Sequence, residues 1–241
     1  MKDNITKKQA EFNMAMKAYE THAYYKYIYK FVSIFIITFQ IVLLFKVWSV
    51  DIDLFSFLLL FLVAYFLTDF INGWVHMYMD NNDNYNSKWG SFIASFHLHH
   101  QNEKYRNNNL FAIYFNESGA KIWLVFYLLF VYMLTFTAVN STFLLLFVLI
   151  GILSSFAEVS HYLCHNSDNK LVHFLQKIRL LLPMSHHIKH HEEDNVRYAF
   201  LNGTSDFILD KIAKRLYSGY KDGTDKHYET YEGVGTSNRE A

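Results

Sequence analysis

The chain has 241 residues, of which 52% are hydrophobic and 19% aromatic, and its 22 basic residues balance 22 acidic ones. A nucleic-acid-binding protein normally carries a basic excess, so the balanced charge argues against that class. The single cysteine, Cys164, excludes an internal disulfide. Nine glycines and one proline argue against a loop-rich or all-β fold. Thirteen histidines are more than ordinary core packing requires.

The apolar residues fall into four blocks that contain few charges. The blocks are residues 31–48, 54–68, 122–139 and 143–157. Each block with its flanks approaches the ~20 residues that a helix needs to cross ~30 Å of hydrocarbon. A soluble chain this short could hardly bury four such helices. Since the links within each pair of blocks are short, the sequence predicts an all-α integral membrane protein with four transmembrane helices in two hairpins.

The long polar segments then lie together on one side of the membrane. They comprise residues 1–30, about 81–121, and the chain after Asn166, and Lys46 is the only one of the 22 Lys and Arg residues outside them. The positive-inside rule makes this side cytoplasmic. We therefore expect an N-terminal interfacial segment (1–30), a membrane domain with a cytoplasmic histidine-rich cap (31–216) and a mobile tail (217–241). Endoplasmic reticulum and bacterial inner membrane are both open as locations.

Two of the predicted helices carry potential metal ligands beyond their apolar blocks. In DFINGWVHMYMD, one helical stripe contains Asp69, Gly73, His76 and Asp80. In AEVSHYLCHN, a second stripe contains Glu158, His161 and His165. Because side chains one turn apart on a helix are neighbours, each stripe can offer its imidazoles to one metal site.

Two polar segments add further histidines. In SHHIKHH, a helix would aim His187, His190 and His191 at one place, while His186 would point elsewhere. The middle polar loop contains FHLHH, which contributes His97, His99 and His100.

Clustered imidazoles gain little from packing and repel one another when protonated, whereas divalent metals bind them strongly. The sequence therefore predicts a metal site, with Fe, Zn, Cu and Ni all open on ligand type. Asp69 and Glu158 lie near the membrane and suit the role of acceptors for ligand N–H groups better than that of ligands. We interpret three other histidines as ordinary surface or interface residues: His22, His173 and His227.

With GWVHMYMD, HLHH, HYLCH and HHIKHH in this order, the chain resembles the plasmanylethanolamine desaturase family, also called Kua, which includes the plant palmitate desaturase of phosphatidylglycerol. The resemblance covers about residues 69–210 and includes the later YAFLNGTSDFILDKI. It implies a phospholipid desaturase with a histidine-ligated di-iron centre and dioxygen as co-substrate. It also implies an electron donor such as cytochrome b5 or ferredoxin with its reductase, because the sequence has no dinucleotide or haem-attachment fingerprint.

By position, the family's motif falls on Asp80, a candidate acceptor for ligand N–H groups, and on eight histidines that the resemblance makes both metal-ligating and catalytic. These are His76, His99, His100, His161, His165, His187, His190 and His191. The chain departs from the family at Met77, which replaces an aromatic residue, and at Glu103 and Asp194, which replace prolines.

Two segments are predicted to lie at the membrane surface. Residues 171–183 place Leu171, Phe174, Leu175, Ile178 and Leu182 on one face of an amphipathic helix. Residues 12–29 are rich in Tyr and Lys, a composition typical of the interface.

Other functions stay open on the sequence. A lipid hydroxylase could use the same metal centre, and a non-catalytic electron carrier could use bis-histidine haem. A metal transporter is less favoured, because the first and third apolar blocks contain few polar residues.

Overall fold

The computed structural model describes residues 2–101, 108–219 and 231, and within these ranges the chain forms helices and no strands. The expected mobile tail lies mostly outside the described residues. The helices are α1 (Lys2–Thr21), α2 (Ala23–Val47), α3 (Leu54–Asp80), α4 (Gly90–Gln101), α5 (Leu110–Ser118), α6 (Ile122–Leu134), α7 (Ser141–Asn166), α8 (Lys170–Lys177), α9 (Met184–Glu192) and α10 (Asp206–Leu216). The prediction of an all-α fold is confirmed.

Several helices begin where the sequence supplies a short polar side chain. The Asp53 carboxylate accepts a hydrogen bond from the Ser56 N–H at the start of α3. Asn109, Asn140 and Asn169 cap α5, α7 and α8 in the same way. Such caps satisfy backbone N–H groups that have no partner within the helix.

Three helices are long and apolar enough to cross a membrane: α2, α3 and α7, with 25, 27 and 26 residues. They make this an integral membrane protein. The third apolar block forms a helix of only 13 residues, α6, which meets the preceding α5 at an angle of 87°. Together α5 and α6 could form a fourth, broken span.

The membrane helices pack around an apolar core to which α2, α6 and α7 contribute. Ile36, Leu43, Leu124, Leu128 and Val131 are completely buried in it. Large apolar side chains also cover the outside of the bundle, and Phe45, Phe55, Leu62 and Phe126 are all more than 60% exposed. Apolar residues on both the inside and the outside are what a helix bundle in lipid requires.

Two helices continue beyond their apolar stretches as the sequence predicts. α3 runs to Asp80 and α7 to Asn166, so their histidines lie on regular helix. The middle polar segment differs from the expected loop, because it contains α4 and α5 and the FHLHH residues are helical. α1 packs against α4 through Phe12 and Met16, which contact Ile93 and Ala94.

The amphipathic segment is shorter than expected. α8 ends at Lys177, and Arg179 adopts a positive φ of 61°. Leu171, Phe174 and Ile178 are exposed as predicted, but Leu182 is completely buried. The reason is that the Leu182 N–H donates a hydrogen bond to the Ser160 hydroxyl of α7, which draws this part of the chain into the core.

Residues 194–205, which we call the strap, connect α9 to α10 and lie against α3. The Asp69 carboxylate accepts the backbone N–H groups of Leu201, Asn202, Gly203 and Ser205. Asp69 therefore fixes the strap to the middle of α3, since hydrogen bonds to a buried carboxylate are strong.

Gly73 lets the strap lie directly on α3. A Cβ atom at this position would lie 2.9 Å from the Ala199 Cα and 3.0 Å from the Ala199 nitrogen, closer than a real Cβ contact. We expect Gly73→Ala to lower the unfolding free energy by about 1–3 kcal/mol, because the backbone must shift. Thermal unfolding of the detergent-solubilised chain measures this.

Gly151→Ala is the matched control, because the nearest atom to its added Cβ is the movable Leu128 Cδ2 at 2.8 Å. An equal or larger loss of stability in Gly151→Ala would contradict a close backbone approach at Gly73.

Candidate metal centre

Four helices bring all eight predicted histidines together in the interior. α3 contributes His76, α4 His99 and His100, α7 His161 and His165, and α9 His187, His190 and His191. None of these histidines is more than 9% exposed. Imidazoles from segments far apart in sequence therefore form one buried group.

The first part of the centre, the Asp80 cluster, consists of His76, Asp80, His100 and His190. Asp80 Oδ2 lies 3.4 Å from His76 Nε2 and 3.1 Å from His190 Nε2. Asp80 Oδ1 lies 3.2 Å from His100 Nε2. The carboxylate is thus among the imidazole nitrogens and can itself offer an oxygen to a metal ion.

The second part, the His99 cluster, contains five imidazoles and no carboxylate. Its members are His99, His161, His165, His187 and His191. The Nε2 atoms of His161 and His187 are 2.9 Å apart, those of His165 and His161 3.2 Å, and those of His191 and His187 3.1 Å. Two nitrogen ligands at right angles on one ion, each ~2.1 Å away, would be ~3 Å apart. The spacings suit nitrogens that share a metal ion. Two groups within the cluster, His99 with His161 and His187 and His99 with His165 and His191, each have their nitrogens within 4.8 Å of one another.

His99 gives a further test of whether a metal fits. It is 7% exposed, and among the described residues neither ring nitrogen has a hydrogen-bond partner. Its ring centroid lies 4.6 Å from that of His191 and 4.7 Å from that of His161. A buried polar group without a partner is costly, so the histidine clusters could hold a metal ion.

The two clusters adjoin. His99 and His100 are neighbours on α4 with ring centroids 5.0 Å apart, and the His100 and His191 centroids are also 5.0 Å apart. Across α9, the rings of His187 and His190 stack at 5.5 Å.

A family profile described as lipid desaturase domain matches residues 65–218, more than half of the chain. The chain belongs to this family. No curated protein and no solved structure matches it significantly. The resemblance drawn from the histidine motifs is confirmed, and all eight histidines, Asp80 and the strap lie inside the matched residues.

The strap of the lipid desaturase domain orients the Asp80 cluster. His76 Nδ1 donates a hydrogen bond to the Tyr198 carbonyl at 2.8 Å, and His190 Nδ1 donates one to the Val196 carbonyl at 3.1 Å. Because a carbonyl only accepts, both protons are on Nδ1 and both Nε2 atoms keep a lone pair directed into the cluster. A metal-ligating histidine is typically held in this way.

Burial keeps the imidazoles of His99, His187 and His190 neutral. It lowers the pKa of His190 to about 3 and the pKa values of His99 and His187 well below their ordinary range. Neighbouring imidazoles of the cluster lower the pKa values of His99 and His187 further, because positive charges would repel. Neutral imidazole is the form that binds metal.

The other histidines of the motifs face away from the clusters. His97 Nε2 donates to the Met79 carbonyl at 2.8 Å and its Nδ1 accepts from the Tyr85 hydroxyl at 2.7 Å. His186, as predicted, points elsewhere, and its Nε2 lies 2.7 Å from Asp206 Oδ2. Both residues connect ligand-bearing helices to neighbouring elements.

The structure gives the acidic residues different partners. Asp69 holds the strap, whose carbonyls in turn hold His76 and His190. Glu158 forms an ion pair with Lys121 at 3.1 Å. Lys121 is 4% exposed, and its position at the end of a polar segment gave no sign of this contact.

We expect His161→Ala and His187→Ala each to lower the metal bound per chain, because each removes an Nε2 atom from the centre of the His99 cluster. His173→Ala is the control, since His173 is exposed on α8 with its Nε2 3.1 Å from the Ser167 carbonyl. Elemental analysis of the purified chains measures the result. Equal metal content in all three variants would contradict the ligand assignment.

The metal-free chain should lose stability as pH falls below about 6.5, the pKa of histidine in an unfolded chain. Since the pKa of His190 is about 3 in the fold, the unfolded chain binds more protons between these values. Each such histidine costs about 1.4 kcal/mol per pH unit. Thermal melts across this range give the slope, and a melting temperature that stays constant or rises on acidification would contradict it.

Proposed function

We propose that this chain is a membrane desaturase that introduces a double bond into an alkyl or acyl chain of a phospholipid, with dioxygen as oxidant and two histidine-held irons as cofactor. One observation carries the proposal: two adjoining buried clusters, formed by eight histidines and Asp80, lie within a lipid desaturase domain. Each cluster offers enough nitrogen and oxygen atoms for one ion.

Iron suits this donor set and this reaction. Imidazole and carboxylate are common ligands of iron, and neutral imidazoles leave the metal strongly oxidising. When bound, the irons supply the oxidising power that abstraction of hydrogen from an unactivated C–H bond requires. Imidazole also resists oxidation, whereas a thiolate would be consumed, and Cys164 is not part of either cluster.

The protein's own residues would hold the metal ions and orient the side chains around them. The eight histidines would ligate the metal, and Asp80 would bridge nitrogens of three different helices within its cluster. The strap carbonyls keep His76 and His190 in one orientation. Phe200 of the strap is buried and contacts the rings of His76 and His161, with centroids 5.5 and 5.6 Å apart.

The reaction balances as a four-electron reduction of dioxygen. Two hydrogens leave adjacent carbons, which become doubly bonded, and they provide two electrons and two protons. Two further electrons come from a donor and two protons from solvent, so that two waters form. Cytochrome b5 or ferredoxin, with its reductase, is the class of donor we propose.

We propose plasmanylethanolamine as substrate, with the vinyl ether plasmenylethanolamine as product. The resemblance to the plasmanylethanolamine desaturase family supports this choice, and an acyl phospholipid is the alternative, because the same family includes the plant palmitate desaturase. We also propose four membrane crossings, with α5 and α6 forming the broken one, and the histidine clusters on the cytoplasmic side of the endoplasmic reticulum or bacterial inner membrane. The positive-inside rule supports this orientation.

Two alternatives use the same residues. A lipid hydroxylase would need the same centre and would release an alcohol. A bis-histidine haem carrier fits less well, because axial ligands lie on opposite sides of the iron, ~4 Å apart at ~2 Å each. The Nε2 atoms of the His99 cluster are 2.9–3.2 Å apart.

We expect about two irons per chain in gently purified wild type and loss of iron in the His161→Ala/His165→Ala double variant. Expression in a host that supplies ether and acyl phospholipids should produce a lipid two mass units lighter, and acid treatment identifies a vinyl ether because it is acid-labile.

Other products separate the alternatives. An acid-stable double bond would replace the ether substrate by an acyl one, an alcohol would indicate a hydroxylase, and a strong Soret band would indicate haem. Zinc, or no metal in folded protein that never met a chelator, would contradict the di-iron proposal.

A further inference from the structure

Lys121 is a buried cation at the bend between α5 and α6. Its Nζ donates to Asn72 Oδ1 of α3 at 2.6 Å and to the Ser154 carbonyl of α7. The same Nζ lies 3.1 Å from Glu158 Oε1, also on α7. One ammonium group therefore joins the two longest helices of the bundle.

These contacts lie one turn from metal-ligating histidines on both helices. Asn72 is four residues before His76 on α3, and Glu158 is three residues before His161 on α7. Residues at these spacings are neighbours on a helix face, about 5–6 Å apart at Cβ. His76 belongs to the Asp80 cluster and His161 to the His99 cluster. The ammonium thus joins the supports of one ligand from each cluster.

Phe200 makes the second connection between Lys121 and the clusters. The Lys121 Nζ lies 4.8 Å from the centroid of the Phe200 ring. That ring in turn contacts His76 and His161, the same two histidines. A cation over an aromatic face is attracted by it, so Lys121 also fixes the aromatic side chain that contacts His76 and His161.

A purely stabilising role does not require a charge here. An ion pair buried in a protein repays its desolvation only in part, and apolar side chains of similar volume often replace it without loss of stability. Ionisable groups within membrane domains are costly and are typically functional. Apolar side chains could not make three polar contacts to two helices and also attract an aromatic ring.

We propose that Lys121 is a positioning residue that sets the distance between His76 and His161, and through them the geometry of the two clusters. The inference rests on the proposed function to the extent that the clusters bind metal. It predicts that loss of the Lys121 contacts changes metal coordination even where the chain is as stable as the wild type.

The test titrates the metal-free full chain in lipid nanodiscs with Co²⁺ and follows the visible absorption bands, which report coordination geometry. Lys121→Met/Glu158→Met removes both charges together, so that neither is left buried alone. Asn72→Leu cuts the contact between Lys121 and α3, together with the hydrogen bond from Asn72 Nδ2 to Ser154 Oγ at 3.1 Å, and keeps the ion pair. It serves if the double variant does not fold. Thermal melts of the metal-free variants give their stability.

Gln40→Met is the matched control. Gln40 is buried in the same bundle and donates to Ser155 Oγ at 2.8 Å and to the Gly151 carbonyl at 2.9 Å, so it also connects two helices. We expect it to leave Co²⁺ affinity and spectrum unchanged.

For Lys121→Met/Glu158→Met we expect Co²⁺ affinity about 10- to 100-fold lower and shifted absorption bands, as for other residues that orient ligands. Asn72→Leu should lower the Co²⁺ affinity and shift the absorption bands in the same direction, but by less. Wild-type affinity and spectrum in both variants would overturn the inference while leaving the metal centre intact, and so would equal changes in Gln40→Met. Absence of Co²⁺ binding by the wild type would overturn the metal centre and the inference with it.

Discussion

Direct contact among buried, neutral imidazoles is the constraint on which the rest of the structure depends. Each neutral imidazole has one N–H donor and one acceptor nitrogen, and His99 uses neither among the described residues. Rings this close can coexist only if they carry no charge and are oriented by other groups. Several features of the fold orient these rings: the lengths of α3 and α7, the helical form of α4, and the path of the strap.

Asp69 acts on the Asp80 cluster through the strap, whose carbonyls hold two of its imidazoles. Its carboxylate accepts the N–H groups of Leu201, Asn202, Gly203 and Ser205. This leaves the carbonyls of Val196 and Tyr198 directed at His190 and His76. The same segment carries Phe200 between the ligand rings and Lys121. One aspartate in α3 thus fixes both the carbonyls that orient His76 and His190 and the segment that carries the Phe200 ring.

Local spacing was enough to predict the helical stripes of the centre. His161 with His165, and His187 with His190 and His191, depend only on the period of a helix, and the structure places each set on one helix. The helical form of FHLHH was missed because its short sequence has little apolar periodicity. α8 was predicted too long, since the Leu182 N–H reaches Ser160, 22 residues away. Lys121 reaches Asn72 across 49 residues, and no sequence period encodes such a contact.

The bend beside Lys121 leaves α6 too short to cross the hydrocarbon of a bilayer by itself. At ~1.5 Å per residue, the 13 residues of α6 extend only ~20 Å, against ~30 Å of hydrocarbon. Its outer face is apolar, with Phe126, Phe130 and Met133 each more than 50% exposed. A hydrophobic segment shorter than the bilayer is accommodated by local thinning. If α5 and α6 form the fourth crossing, thinning beside α6 would lower the leaflet surface there and leave fewer methylene groups between a lipid headgroup and the histidine clusters.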